Sequence, residues 1–238
     1  DGGKATSIEV FGGARSFGPH PADFKALDLS YESASRAVKL TIYEERTGTS
    51  LPMTFRFTYR PDQGFAPIHE VMNGRNKSIK DFYWRLWFGD NESLPELGLR
   101  STFTCEPTKI DAETVERFCS IVGNSGESFK ERRNEQVQAP MDFAIVTGWQ
   151  SIMKGIFPDA IDGDLFKLVH LSNGFRMVDG VSPLTVGDVC SAEAKVVSVV
   201  NSDSGKTVKV KGFVLRDGEP VIEVTSAFLY RGRFTDYE

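Results

Sequence analysis

Acid and base chemistry needs titratable groups brought together in pairs, and this sequence offers few. Its three histidines, His20, His69 and His170, are widely separated, and His20 and His69 sit in proline-flanked stretches, so no histidine cluster has metal-ligand spacing. No metal site is expected. Cys105, Cys119 and Cys190 are an odd number of widely spaced cysteines without a CxxC pair, which reads as reduced and buried rather than as a disulfide framework or a zinc site. Gly2-Gly3 and Gly12-Gly13-Ala14 lack the helix and the Lys-Ser/Thr of a phosphate-binding loop, and no GxSxG nucleophile elbow occurs. Asp162 and Asp164 straddle a glycine, which is ordinary turn chemistry. Glu127 is a carboxylate without a histidine near it in the sequence.

Composition narrows the partners. With 238 residues, 40% of them apolar, the chain has room for one large or two small packed domains. A formal charge of −5 opposes binding to a phosphate backbone, so no nucleic acid partner is expected. No apolar run approaches the roughly 18 residues of a membrane span and no signal peptide is recognisable, so no membrane partner is expected and a cytoplasmic location is. The chain starts at Asp1 and stops at Glu238 just after a strand-like segment, which suggests part of a longer protein.

The elements that must carry any chemistry fall into two modules. Period-two alternation over residues 24–31, 37–43 and 53–59 predicts antiparallel strands, with turns at Gly48 and from Pro61 to Gly64. Ile79, Phe82, Tyr83 and Leu86 then share one helical face, and Gly89 stands where a C-terminal cap belongs. Trp84, Trp87 and Phe88 give that helix an aromatic end, suited to packing on a sheet or to a ligand platform. The stretch from Gly89 to Pro107 is weakly periodic, and the boundary is placed there: 1–100 and 101–238. In the second module Asp111 caps a helix whose stripe is Val115, Phe118, Cys119 and Val122 and which Gly123 ends. A helix over 142–157 is apolar round most of its circumference, so it is expected to be enclosed by protein. Strands are predicted over 166–177, 189–200, 207–215 and 221–230, with Asp217-Gly218 a tight-hairpin signal. The class is α+β: a β-meander with a helix, then a helix wrapped by an antiparallel sheet, for which the hot dog is one arrangement among several.

Four stretches resemble the fungal-type fatty acid synthase β subunit: GRNKSIKDFYWRLWFGD at 74–90, APMDFAIVTGW at 139–149, IDGDLFKLVHLSNGFRM at 161–177 and FLYRGRFTD at 228–236. The resemblance runs from about Pro52 onward and falls in the region between that family's enoyl reductase and malonyl/palmitoyl transferase domains. It implies a β-meander followed, from about Lys109, by the non-catalytic hot dog of a MaoC-like dehydratase. The implied function is a share in removing water from a 3-hydroxyacyl thioester to give the trans-2-enoyl thioester, with the substrate carried on the phosphopantetheine of acyl carrier protein. Other β-subunit domains and the α subunits of a large hetero-oligomeric synthase are implied partners. The segment itself is expected to bind no cofactor, NADPH and FMN being used elsewhere in the synthase.

MaoC-like enzymes are similar in carrying an Asp and a His in the form Gly-Asp-x-Asn-Pro-x-His. The counterpart here is Gly123 to Phe129, with Asn124 in place of the Asp and Phe129 in place of the His. An amide and a phenyl ring have no acid/base use at neutral pH, so the resemblance implies no catalytic residue in this chain, and its isolated form is expected to be inactive. Two substrate-binding residues are implied. His170 resembles the histidine of a His-Gly pair along the bound thioester, although Leu171 replaces the glycine. Lys206, in a turn, is placed to meet a phosphopantetheine phosphate, or else to be solvated. An autonomous hot-dog hydratase or thioesterase, and a purely architectural module of the synthase, are the competing expectations.

Overall fold

The computed structural model describes residues 24–34, 36–46, 49–60, 62, 68–89, 93–130 and 136–236. Gly2, Gly3, Gly12, Gly13, Ala14, His20, Gly48 and the Pro61 to Gly64 turn, apart from Asp62, lie outside the described residues. The chain divides into two compact units, 1–78 with 82–92, and 79–81 with 93–238.

In the first unit, alternating residues build a four-stranded antiparallel meander, β1 (Phe24–Glu32), β2 (Ala37–Arg46), β3 (Thr49–Tyr59) and β4 (Ile68–Glu70), each strand pairing with the next. The pleat sends Leu51 and Met53 to one face, where they bury against Phe82 of α1 (Arg75–Phe88), with Phe55, Tyr83 and Leu86 packed alongside. Trp84 is buried and its ring meets that of Phe88 at 4.4 Å between centroids, so this part of the aromatic end packs inward. The helix starts a turn before the apolar stripe that revealed it, because its first turn, Arg75 to Ser78, is polar. Gly89 ends it at a φ of 135° that only glycine takes easily, donating its N–H to Arg85.

The second unit carries a five-stranded antiparallel sheet in the order β5-β7-β8-β9-β6. Its strands are β5 (Phe103–Lys109), β6 (Leu168–Met177), β7 (Val189–Ser202), β8 (Gly205–Arg216) and β9 (Glu219–Arg231). Between β5 and β6 lie the helices α2 (Ala112–Val122) and α3 (Ala144–Lys154). The β8–β9 hairpin turns through Asp217 and Gly218, both at positive φ (55° and 83°), as the tight-turn signal requires. β5 went unread in the sequence because Glu106, Pro107 and Thr108 break its alternation, and its pairing with β7 shifts register there.

Helix α3 lies on the inner face of this sheet, the hot-dog arrangement. Close approach of helix and sheet is achieved with glycines: a Cβ on Gly155, just after α3, would fall 2.7 Å from Val210, and one on Gly212 of β8 would fall 3.0 Å from Ile152 of α3. Ala144, Ile152 and Met153 of α3 are buried, as are Val208, Val210, Val214, Ile222 and Val224 of β8 and β9, and each large aliphatic side chain so removed from water contributes roughly 1.5–3 kcal/mol. The enclosure is one-sided. Val146 and Trp149 remain 41% and 38% exposed, because a helix has more circumference than one curved sheet covers. The expectation of a helix enclosed all round is corrected to that extent. It is also shorter than read, with a 3-10 turn over Met141–Phe143 before it and turns after Lys154.

Beyond α3 the backbone runs buried from Gly155 to Pro158, where carbonyls need donors that neither helix nor sheet provides. Side chains supply them. The Tyr230 hydroxyl donates to the Ile156 oxygen at 2.9 Å, and the Lys80 ammonium donates to the oxygens of Phe157, Pro158 and Ile161 at 3.3, 2.9 and 2.8 Å. Lys80 is 3% exposed, and burial pulls its pKa down to about 8, with Asp159 and Asp162 pulling the other way and Lys206 adding to the fall. Below about pH 8 folded and unfolded chains both hold this proton. Between about 8 and the ordinary 10.5 the folded chain releases it first, so Lys80 favours folding more as pH rises through that window. The unfolding free energy of the native chain minus that of Lys80→Met is therefore expected to grow by about 3 kcal/mol from pH 7 to pH 10.5, since each tenfold difference in proton affinity is worth about 1.4 kcal/mol. Paired urea titrations at both pH values measure this; a difference that stays flat or shrinks would contradict it.

Candidate functional site

The segment that resembles an acid/base motif is built by the end of α2. Asp111 caps the start of that helix, its carboxylate accepting from the Thr114 N–H at 2.8 Å and the Thr114 hydroxyl at 2.7 Å, and these bonds lower its pKa. Gly123 ends the helix in the left-handed region, at φ 72°. Asn124 then closes a turn on itself, Oδ1 accepting from the Gly126 N–H at 3.1 Å. Phe129 is half-buried, and a Cβ added to Gly126 would fall 2.8 Å from its ring, so the phenyl folds back on that glycine. Glu127 is exposed and pairs with Lys130 at 2.9 Å. The motif positions thus hold an amide making a turn, a packed phenyl ring and a surface ion pair.

His170 lies on β6, an edge strand, and is exposed. The β6–β9 register skips Leu171 between the pairs His170↔Phe228 and Ser172↔Ala227, which marks a bulge at this point. The imidazole meets the Phe228 ring at 5.1 Å between centroids, and its Nε2 lies 2.9 Å from Oδ1 of Asn173. The same oxygen accepts from the hydroxyl of the buried Ser226 at 2.6 Å. An amide oxygen only accepts, so Nε2 donates in this bond and Nδ1 takes no part in it. Sequence reasoning missed Asn173 and Ser226. The strand period alone places Ser226 on the inner face, but nothing in it signals a polar network.

Lys206 is neither solvated nor open to a phosphate. Its side chain is fully buried, with Nζ donating to the Asp162 oxygen at 2.8 Å and to Asp236 at 2.5 Å, and lying 4.4 Å from the centroid of the Phe234 ring. β8 begins at Gly205, before the Thr207 at which the sequence placed its start, so Lys206 belongs to the strand and falls in phase with the buried Val208 and Val210. Burial alone would raise the Asp236 carboxyl, but bonds from Lys206, its own backbone and Asn201 outweigh it and hold that pKa low. Both substrate-contact expectations therefore land in different settings, one exposed on an edge and one in the interior.

The remaining candidates are quiet. Burial raises the thiols of Cys105 and Cys119 and pushes Cys190 up to about 11, with Asp188 adding to the last. All three are free thiols, and none is poised as a nucleophile. His69 is exposed on β4, and among the described residues no group of three His, Cys, Asp or Glu side chains is placed to hold a metal. Asp164 caps the 3-10 turn Leu165–Lys167, as turn chemistry suggested.

A family model described as "FAS1-like, dehydratase domain region" matches residues 99–224, and one described as "Fatty acid synthase meander beta sheet domain" matches residues 2–90. The chain belongs to the fungal fatty acid synthase β-subunit family. It is 47% identical over 213 residues to fatty acid synthase subunit beta of Schizosaccharomyces pombe, covering 90% of this chain and 10% of that protein. Against the Saccharomyces cerevisiae subunit it is 47% identical over 203 residues, covering 84% of this chain and 10% of the relative. The chain thus spans about a tenth of the length of these relatives. Among solved structures, a "MaoC-like dehydratase" superposes at a TM-score of 0.48 with 15% identity, over 57% of this chain and 43% of that one. The HadBC 3R-hydroxyacyl-ACP dehydratase complex of Mycobacterium tuberculosis superposes at 0.46 with 17% identity, over 57% and 99%. No described helix is long and apolar enough to cross a membrane.

An interior role for Lys206 has a direct consequence. Lys206→Met strips donors from the Asp162 carbonyl and from Asp236, and is expected to lower stability by about 2–4 kcal/mol. A chemical denaturation curve indistinguishable from that of the native chain would place this ammonium in solvent instead.

Proposed function

We propose that the second unit is the acid/base-silent hot dog of a 3-hydroxyacyl-thioester dehydratase within a fatty acid synthase. Dehydration needs a base to take the C2 proton and an acid to protonate the departing 3-hydroxyl, both within hydrogen-bond reach. The observation that carries the proposal is the Gly123 to Phe129 element, in a unit matched by the dehydratase-region family model. There Asn124 is occupied in a turn, Phe129 is packed on Gly126, and Glu127 is paired on the surface. The acid and base must come from another part of the parent protein. The trans-2-enoyl thioester and water are the products, the substrate is presented on acyl carrier protein, and neighbouring β-subunit domains and α subunits are the partners in a cytoplasmic assembly. NADPH and FMN chemistry belongs to other regions of the parent.

Within this reading His170 is the residue placed to contact substrate. It is exposed, and it is oriented by Asn173 and backed by Phe228. With Nε2 committed to Asn173, Nδ1 is the atom left for a ligand. Lys206 is not proposed as a contact, because its ammonium is fully enclosed.

In the parent synthase, His170→Ala is expected to raise KM for the 3-hydroxyacyl thioester about three- to tenfold with kcat little changed, the loss of one neutral hydrogen bond. Steady-state dehydration kinetics read this directly. An unchanged KM removes His170 from the substrate path, whereas a kcat loss beyond a hundredfold would make it a catalytic group and overturn the silent assignment.

A further inference from the structure

The first unit contains a pocket that the dehydratase reading does not use. It measures about 230 Å³, and its lining includes Lys39, Thr54, Arg56, Glu70, Arg75 and Ser78. Lys39 of β2 and Arg56 of β3 are direct cross-strand partners, and both are exposed. Like charges placed opposite one another on a sheet repel, and among the described residues neither side chain has an ion pair or hydrogen bond to offset this. Arg75 brings a third cation. Its guanidinium is ion-paired with Glu70 and stands 6.0 Å from the Phe55 ring centroid, so the pocket's carboxylate is already committed. Three cations against one carboxylate leave the pocket positive in a chain whose formal charge is −5.

The size of the pocket limits the ligand. Pockets for drug-sized molecules begin at roughly 300 Å³, so this one suits a small ion rather than an acyl chain or a whole nucleotide. Its chemistry limits it further, since a guanidinium fork beside an ammonium matches the oxygens of a tetrahedral oxyanion. α1 begins at the same pocket with no side-chain cap and no acidic residue in its first turn, which adds a weaker field of the same sign. The unpaired cations carry the argument, and the helix end only supports it.

We propose that this pocket binds a phosphate-class oxyanion, gripped by Lys39 and Arg56 and walled by the Arg75–Glu70 pair. Binding relieves the cross-strand repulsion, so the ion stabilises the meander as well as occupying it. The site is independent of the dehydratase reading, and either could fail alone.

Calorimetric titration of the full 238-residue chain at low ionic strength tests it, with inorganic phosphate and glycerol phosphate as probes. Saturable phosphate binding is expected, weakened at least about tenfold by Lys39→Gln and by Arg56→Gln and unchanged by Lys209→Gln, an exposed position on β8. Both pocket changes are at exposed positions, and circular dichroism verifies that the variants fold. Equal binding of glycerol phosphate identifies the terminal phosphate of an ester as the ligand, and binding of inorganic phosphate alone identifies the free ion. Absence of saturable binding, or the same weakening in Lys209→Gln as in the pocket variants, overturns the proposal.

Discussion

The second unit depends on satisfying the carbonyls of the segment that follows its central helix. From Ile156 to Asp162 the backbone passes beneath β8 and β9, and its oxygens are met by a tyrosine hydroxyl and two buried ammonium groups, those of Tyr230, Lys80 and Lys206. A buried ammonium is costly on its own, and an unmet carbonyl is costly too; together they offset each other. Much of the local sequence follows from this arrangement. Gly163 must lack a side chain because a Cβ would fall 2.5 Å from the Tyr230 ring, and Gly205 because its Cβ would fall 2.0 Å from the Tyr230 backbone carbonyl oxygen.

The same arrangement explains what could and could not be read from the sequence. Period-two runs and the Asp217-Gly218 turn revealed β6 to β9, and the Asp111 cap and Gly123 stop framed α2, because those signals are local. β5 was lost where Pro107 and a register shift erase the alternation. Lys206 was read as a turn lysine and Lys80 drew no reading, because burial of a lysine is decided by partners some 30 to 80 positions away, at Asp236, Asp162 and Phe157 to Ile161. The family resemblance, by contrast, rested on four long stretches, and three of them hold Lys80, Asp162, Tyr230 and Asp236 of this network.

For the candidate site, the absent chemistry was more legible than the chemistry present. Asn124 and Phe129 put an amide and a phenyl ring at the two motif positions, which is legible in one dimension, and the fold adds how each is used. His170 was legible as a residue but not as a network, since Asn173 and Ser226 join it through a strand bulge and a cross-strand contact. The cation pair of the meander was hidden in the same way, because register alone sets Lys39 against Arg56.

A catalytically silent hot dog is the central claim, and turnover by the chain alone tests it most directly. Residues 1–238, incubated with a short trans-2-enoyl thioester and followed by loss of the conjugated-enoyl absorbance, are expected to hydrate it no faster than buffer. Hydration above that background, abolished by Glu127→Gln, would contradict the claim and make this unit an enzyme in its own right.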